Sequence, residues 1–144
     1  MTRNFHYPPD IQSIPTIRKD MEAVAREWSL PGSELRQILL IIEELFSNVT
    51  RYAYQDVKNR MEHQVGIRLW MSDNSVTLEM VDDGIPFNPM DYNPGFQPDP
   101  ASLDEGGMGL TLIKAFADSI NYQREAHENR LVIRKDIKSI NGSN

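Results

Sequence analysis

Apolar residues recur at two different spacings along the chain, and the change of spacing divides it into predicted elements. Spacings of three and four residues predict a first helix between Ser13 and Pro31. A second helix is predicted to begin with Ser33 as its cap and to continue to about Tyr54. The apolar positions of the first helix are Ile17, Met21, Val24, Ala25 and Trp28. The second helix carries a single stripe of Leu35, Ile38, Leu39, Ile42, Leu45, Phe46 and Val49.

Strict alternation replaces the helical spacing in the middle of the chain. Val65, Ile67, Leu69 and Met71 alternate with Gly66, Arg68 and Trp70, and Val76, Leu78 and Met80 alternate with polar residues, which is the period of a half-buried strand. Ser-Asp-Asn at residues 72–74 separates the two runs and is typical of a turn. A β-hairpin is therefore predicted here, and two shorter strands are predicted at about residues 120–124 and 131–135.

Residues 88–105 show neither period. They contain four prolines and are predicted to form a long loop, which is a candidate lid over a ligand. This segment has four acidic residues and no Lys, Arg or His. A third helix is predicted to follow Gly-Gly-Met-Gly at residues 106–109, with apolar positions at Leu110, Ile113, Phe116 and Ala117.

The order of these elements predicts the fold class. Helix, helix, hairpin, helix and hairpin indicate an α/β (α+β) two-layer sandwich, with about three helices on one face of a mixed, mostly antiparallel sheet. A chain of 144 residues normally forms one domain. We accordingly divide it into an N-terminal extension (1–13), one domain (14–136) and a polar tail (137–144).

Composition and charge narrow the classes of function. Hydrophobic residues make up 40% and charged residues 25%, as in ordinary globular domains. The net charge of −6 opposes binding to nucleic acid or to an anionic membrane surface. The absence of cysteine excludes disulfides, thiolate nucleophiles and cysteine-ligated metals. The chain shows no signal-peptide pattern and no apolar run long enough for a membrane span, so we expect a cytoplasmic protein.

Two polar residues of the second predicted helix form the first candidate site. Glu44 and Asn48 are four residues apart and share a helix face that lies nearly opposite the apolar stripe. Leu40 and Ile41 flank that face. This pattern favours a helix buried on both sides, with the polar pair lining a cavity. The alternative is an ordinary solvated helix face.

Asp82 is the second candidate. It shares the parity of the apolar positions in its predicted strand and is therefore expected to point to the same interior face. A buried carboxylate requires a fixed donor or a ligand amino group, because burying it without a partner costs several kcal/mol. The alternative is that the strand ends at Val81 and that residues 82–84 form an exposed turn.

The glycine-rich residues 106–109 are the third candidate. Glycines permit close approach of the backbone, and the free N–H groups at the start of a helix favour an anion such as phosphate. The same pattern is also typical of a simple turn before a helix.

The three candidates occur in the order of the sequence boxes of the GHKL ATPases, the family of type II topoisomerase, heat-shock chaperone and histidine kinase ATPase domains. ELFSN at residues 44–48 resembles the N-box of that family, DDG at residues 82–84 its first glycine box, and GGMGL at residues 106–110 its second. The longer runs EELFSNVTRYAY, VDDGIPF and GMGLTLI are most similar to the anti-sigma factor serine kinases of the RsbW type. The resemblance covers about residues 14–135 and implies the Bergerat ATP-binding fold.

The resemblance implies ATP and Mg²⁺ as cofactors and assigns the reacting groups. Asn48 is expected to bind the Mg²⁺ that bridges the phosphates, and Glu44 to act as the general base on the attacking hydroxyl. This division is chemically sound, because Mg²⁺ accepts a carbonyl oxygen and a carboxylate one turn away can take a proton. Arg18 is expected at a partner interface or near the nucleotide.

The resemblance also assigns the nucleotide contacts. Asp82 is expected to accept a hydrogen bond from the adenine amino group, and Gly84 to let the base approach the backbone. Gly107 and Gly109 are expected to contact phosphate, and Thr111 to lie near the adenine side.

Two functions remain open. The resemblance implies a homodimeric serine/threonine kinase that inhibits a sigma factor and phosphorylates an anti-sigma factor antagonist in a partner-switching system. The alternative is a non-catalytic, nucleotide-dependent module that sequesters a sigma factor or another signalling partner. Glu44 favours the kinase, whereas residues 88–105 favour the module because they offer no cation to the γ-phosphate.

Overall fold

The computed structural model describes residues 1–91 and 107–137. The α-helices in these ranges are α1 (Ile14–Trp28), α2 (Gly32–Asn48) and α3 (Gly107–Phe116). The strands are β1 (Thr2–Tyr7), β2 (Val65–Ser72), β3 (Ser75–Asp82), β4 (Ser119–Glu125) and β5 (Glu128–Asp136). Short 3-10 turns occur at Ile11–Ser13 and Arg60–Glu62, and a π-helical turn at Val49–Ala53.

The strands form one sheet in the order β1-β2-β3-β5-β4, in which every described neighbouring pair is antiparallel. One face of the sheet packs on the helix layer, where α1 and α3 both contact α2. The predicted two-layer α+β sandwich is therefore confirmed.

The core lies between the helices and the inner face of the sheet. Alternate residues of the β2–β3 hairpin point into it, as their period predicts. Its buried apolar residues include Ile17, Met21, Val24 and Trp28 of α1, Ile38, Ile42, Leu45 and Phe46 of α2, and Val65, Ile67, Leu69, Val76, Leu78 and Met80 of the hairpin. Leu35 and Leu39, which the sequence placed in the stripe of α2, are only partly buried.

The other face of the sheet is polar. Glu79 lies at its centre, with Arg68 Nε at 3.3 Å and Arg130 Nη1 at 2.5 Å from its carboxylate oxygens. The Arg68 guanidinium also lies over the Trp70 ring, 4.6 Å from its centroid. An antiparallel sheet can expose a polar face of this kind while its other face packs on helices.

The start of α2 differs from the prediction. The helix begins at Gly32, so Ser33 lies inside it and is not the cap residue. Pro31 takes the cap position because its carbonyl accepts the amides of Glu34 and Leu35, both at 3.0 Å. The predicted end at about Tyr54 is confirmed, since the π-helical turn continues α2 as far as Ala53.

The structure corrects both terminal boundaries. Residues 2–7, predicted as part of an extension, form the edge strand β1, which pairs with β2 through the register Phe5↔Ile67. The Tyr7 hydroxyl donates a 2.7 Å hydrogen bond to Asp20 and fastens this strand to α1. Ile137, predicted in the tail, is buried in the core, whereas residues 138–144 lie outside the described residues.

The last helix and hairpin follow the prediction closely. Gly107 and Gly109 lie in the first turn of α3 itself. The β4–β5 turn places Ala126 and His127 at φ values of 53° and 68°, which makes a two-residue reversal. Gly106 and most of the predicted loop 88–105 lie outside the described residues. No helix in residues 1–91 or 107–137 has the length and apolar character needed to cross a membrane.

Candidate functional site

Glu44 and Asn48 lie together at the C-terminal end of α2. The Asn48 amide Nδ2 donates a 3.1 Å hydrogen bond to Oε2 of Glu44. Asn48 is 1% exposed and Glu44 is partly buried, so the pair does not lie on a solvated helix face. Of the predicted flanking residues, Ile41 is buried but Leu40 is 47% exposed. The prediction of a second buried side therefore holds for the pair and for Ile41, but not for Leu40.

Asp82 points into the interior, as its parity predicts, and is 4% exposed. Its Oδ1 accepts hydrogen bonds from the Gly84 amide at 2.9 Å and from Asn129 Nδ2 at 2.8 Å. Burial raises the pKa of Asp82 above its ordinary value, although these two hydrogen bonds act in the opposite direction. Among the described residues both donors reach Oδ1, which leaves Oδ2 as the acceptor for a ligand.

Asn129 of β5 joins Asp82 to the loop that follows it. Its Nδ2 also donates to the Ile85 carbonyl at 2.9 Å, while its Oδ1 accepts the Phe87 amide at 3.0 Å and the hydroxyl of Tyr122. The register brings these strands together, since Asp82 of β3 faces Asn129 of β5, which in turn faces Arg124 of β4. Arg124 Nη1 donates to the Gly84 carbonyl at 2.8 Å.

Asp83 fixes the same loop from the other side. Its Oδ1 accepts the Tyr54 hydroxyl at 2.6 Å, and its Oδ2 lies 2.9 Å from His63 Nδ1. Burial acts to raise the pKa of Asp83, but the hydrogen bonds from Tyr54 and His63 outweigh it and hold that pKa below its ordinary value. Burial and the contact with Asp83 raise the pKa of the Tyr54 hydroxyl.

Gly84 is required by the protein's own packing. A Cβ atom added at Gly84 would lie 2.5 Å from the Ala53 carbonyl oxygen and 2.7 Å from the Ala53 Cβ. The Ile85 amide donates a 3.0 Å hydrogen bond to the same carbonyl, and the Tyr52 and Phe87 rings are 5.4 Å apart. The π-helical turn after Asn48 is thus bonded directly to the Asp82 loop. The expected role of Gly84, close approach of a base, is not needed to explain this glycine.

The remaining predicted residues lie on neighbouring helices. Gly107 and Gly109 are in the first turn of α3, which packs beside α2, and Thr111 is an exposed residue of the same helix. Arg18 of α1 is half-exposed and lies 2.6 Å from Glu43, the residue before Glu44. Among the described residues, Arg18 is thus paired with Glu43 and not with Glu44 or Asn48.

The described residues fit a magnesium ion that is bound mainly by a nucleotide. No group of three His, Cys, Asp or Glu in residues 1–91 and 107–137 is arranged to hold a metal. The Asn48 amide donates through Nδ2, which leaves its Oδ1 as a neutral oxygen ligand. Mg²⁺ commonly takes one or two protein oxygens and completes its shell with water and phosphate oxygens.

Sequence reasoning missed the residues that hold the Asp82 loop. Asn129, Tyr122 and Arg124 belong to a hairpin with no predicted site. Asn129 bonds to Asp82, Tyr122 to Asn129 and Arg124 to Gly84, and the pairing of β3, β5 and β4 brings these groups together. The expected inward carboxylate was the only signal, since it required some fixed donor. Tyr54 and His63 are 29 and 20 residues from Asp83 in sequence and carried no signal.

The sequence is similar to those of known proteins over most of its length. A family model described as the histidine kinase-like ATPase domain matches residues 7–135. The serine-protein kinase RsbW of Bacillus subtilis is 25% identical over 126 residues, which is 83% of this chain and 76% of that protein. RsbW of Bacillus licheniformis is 23% identical over 123 residues, which is 81% of this chain and 74% of that protein.

Two solved structures share the fold. The structure of the RsbU and RsbW domains of a Mycobacterium tuberculosis protein has a TM-score of 0.64 at 14% identity, and the match covers 93% of this chain. It covers 32% of that longer chain. The SiaB-SiaC complex from Pseudomonas aeruginosa gives a TM-score of 0.61 at 14% identity, covering 94% of this chain and 89% of the matched chain. These structural matches confirm the fold, and the sequence match over residues 7–135 shows that the chain belongs to the histidine kinase-like ATPase domain family.

Proposed function

We propose that this protein is an ATP-dependent serine/threonine kinase of a partner-switching system. In this proposal it binds a sigma factor and phosphorylates the antagonist that competes for it. Its similarity to two serine-protein kinases named RsbW supports the reaction type. The resemblance to anti-sigma factor kinases supports the partners and a homodimeric state.

The connection between the two halves of the site carries the proposal. The Glu44–Asn48 pair ends α2, and the π-helical turn that follows is bonded through Ala53 to the residue after Gly84. Gly84 in turn donates its amide to Asp82. The proposed base, metal ligand and adenine acceptor thus belong to two chain segments, residues 44–53 and 82–85, that are joined by a hydrogen bond. Fixed geometry of this kind is the main requirement of phosphoryl transfer.

The chemistry then follows from the roles of three side chains. Asp82 Oδ2 accepts the adenine amino group and sets the position of the nucleotide. Glu44, held through Oε2 by Asn48, takes the proton of a serine or threonine hydroxyl through its other oxygen. The hydroxyl oxygen bonds to the γ-phosphorus as the bond to the bridging oxygen breaks, and ADP leaves. Bound Mg²⁺, with Asn48 Oδ1 as its protein ligand, would neutralise charge on the phosphates.

One observation favours the second candidate, a non-catalytic binding module. Residues 88–105 carry four acidic side chains and no Lys, Arg or His, so this segment offers no cation to the transferring phosphoryl group. A module of this kind would bind nucleotide at Asp82 and exchange one protein partner for another without transferring a phosphoryl group.

Mass spectrometry separates these two candidates. The protein is incubated with ATP, Mg²⁺ and the small antagonist-like protein encoded nearest its gene, and both proteins are then weighed. The kinase proposal predicts that the antagonist gains the mass of one phosphoryl group. Unchanged masses, together with nucleotide binding in a parallel titration, support the binding module instead.

A further inference from the structure

Asn129 has no hydrogen-bonding capacity left for a ligand. A side-chain amide offers two N–H donors and two acceptor lone pairs. Nδ2 donates to Asp82 and to the Ile85 carbonyl, at 2.8 and 2.9 Å, and Oδ1 accepts from the Phe87 amide and from Tyr122. Asn129 is 3% exposed. All four positions are used within the protein, so Asn129 acts through the groups that it holds.

The bond to Asp82 determines which carboxylate oxygen faces a ligand. Asn129 and the Gly84 amide both engage Oδ1, so the carboxylate cannot rotate without breaking two hydrogen bonds. The same amide links Ile85 and Phe87, which follow Gly84, to β5. Arg124 adds a third cross-strand bond through the Gly84 carbonyl. Hydrogen bonds from β5 and β4 therefore hold both the Asp82 carboxylate and the neighbouring residues 84–87 in place.

We infer that Asn129 is a positioning residue that sets the preference of this site for adenine over guanine nucleotides. The inference rests on the proposed nucleotide site at Asp82. Adenine carries an amino donor at position 6, whereas guanine carries a carbonyl acceptor there. An ionised Asp82 carboxylate with Oδ2 fixed in place accepts a hydrogen bond from the adenine amino group and repels the guanine carbonyl oxygen. A site built to receive a donor rejects an analogue that lacks it.

The test compares ADP and GDP affinities by calorimetry, since diphosphates avoid turnover. The Asn129→Leu variant removes one donor from Asp82 and one from the Ile85 carbonyl, while the Gly84 amide still donates to Asp82. We expect its Kd for ADP to rise about tenfold to a hundredfold, the range for lost hydrogen bonds to a charged group. We also expect the ADP-to-GDP preference to fall, because an Asp82 without the Asn129 donor is more easily protonated and can then donate to the guanine carbonyl.

Asn121→Leu is the matched control. Asn121 lies on β4 of the same hairpin, is exposed, and pairs with Val132 of β5, away from the Asp82 row. Its replacement should leave both affinities and their ratio within about twofold of wild type. A role of Asn129 in stability alone would lower the melting temperature without changing the ratio, so the ratio is the decisive quantity.

A second variant keeps the test valid if Asn129→Leu does not fold. Asn129→Asp preserves shape but places two carboxylates within hydrogen-bonding distance, and such a pair shares one proton. That proton replaces the lost donor, so ADP affinity should be near wild type at about pH 5.5 and should fall toward about pH 8. Arg124, Asp83 and the hydroxyls of Tyr122 and Tyr54 are charged or titratable groups beside this pair, and they are the same in wild type.

The outcomes are distinct. If wild type binds ADP, and folded Asn129→Leu keeps the wild-type ADP-to-GDP ratio, the inference is overturned while the nucleotide site stands. If only Asn129→Asp folds, a wild-type pH profile in that variant overturns the inference in the same way. If wild type binds neither ADP nor GDP, the proposed site at Asp82 is wrong, and the inference falls with it.

Discussion

At the scale of single residues, two adjacent carboxylates lie in opposite environments. Burial raises the pKa of Asp82, while Tyr54 and His63 hold the pKa of Asp83 low against the effect of its own burial. The ionised form of Asp83 is therefore favoured in the folded protein, where it holds the loop through hydrogen bonds. Asp82, in contrast, is an unfavourable charge in the free protein, which is typical of a group kept for binding.

Asp82→Asn should therefore stabilise the free protein and weaken nucleotide binding. A raised folded pKa means that Asp82 costs stability as the pH rises above its unfolded value of 3.8 through the folded value. The stability of the variant should equal that of wild type below about pH 3.8. Near neutral pH the variant should be more stable, with a melting temperature roughly 2 to 5 °C higher. ADP affinity should fall at least tenfold, because an amide in place of Oδ2 can present a donor to the adenine amino group. Thermal melts across pH and calorimetry check both effects, and a less stable variant with wild-type affinity contradicts this account of Asp82.

At the scale of elements, the end of α2 and the Asp82 loop form one packed unit. Gly84→Ala should destabilise the fold by about 1 to 3 kcal/mol, because the new Cβ would lie 2.5 Å from the backbone oxygen of Ala53. Gly66→Ala is the matched control, since a Cβ there would meet the His6 ring at 3.5 Å and the Val81 carbonyl oxygen at 3.9 Å, both ordinary contact distances. Urea unfolding measures both variants. Equal stabilities for the two would show that the Gly84–Ala53 contact is not tight.

The opposite end of α2 is joined to the sheet by a buried ion pair. Lys135 Nζ of β5 lies 2.7 Å from Glu34 in the first turn of α2, with side-chain exposures of 10% and 5%. Lys135→Met removes the cation that faces this buried carboxylate and should cost about 3 to 5 kcal/mol. The double variant Glu34→Gln/Lys135→Met should recover most of that loss.

Arg134→Met is the control for the ion pair. Arg134 and Asp136 also lie 2.6 Å apart, but both side chains are about half-exposed, so the change should cost less than about 1 kcal/mol. Chemical denaturation compares the four proteins. A Lys135→Met variant as stable as Arg134→Met would show that the buried pair does not couple α2 to β5.

The elements with a strong internal period could be predicted from the sequence, whereas the contacts between them could not. The stripe of α2 and the alternation of β2 and β3 are properties of single segments, and both predictions are confirmed. β1 was missed because only Phe5 and Tyr7 mark its inner face, which is too short a pattern to recognise. The partner of Asp82 was missed because Asn129 reaches it only through the β3–β5 register, 47 residues away in sequence.

At the scale of the whole molecule, the mass of the protein in solution tests the proposed homodimer. We expect light scattering to give about twice the chain mass of 16.6 kDa at tens of micromolar protein. A mass near 16.6 kDa under those conditions would exclude the dimer and leave the nucleotide site unaffected.

Single-turnover transfer of phosphate to the antagonist tests the central claim most directly. Glu44→Gln keeps an acceptor for the Asn48 amide but removes the base, so the rate should fall about 10²- to 10⁴-fold while ATP affinity changes little. Glu27→Gln, a half-exposed glutamate of α1 paired with Arg3, should transfer at the wild-type rate. Equal rates for wild type and Glu44→Gln, with nucleotide still bound, would contradict the kinase and leave the binding module as the function.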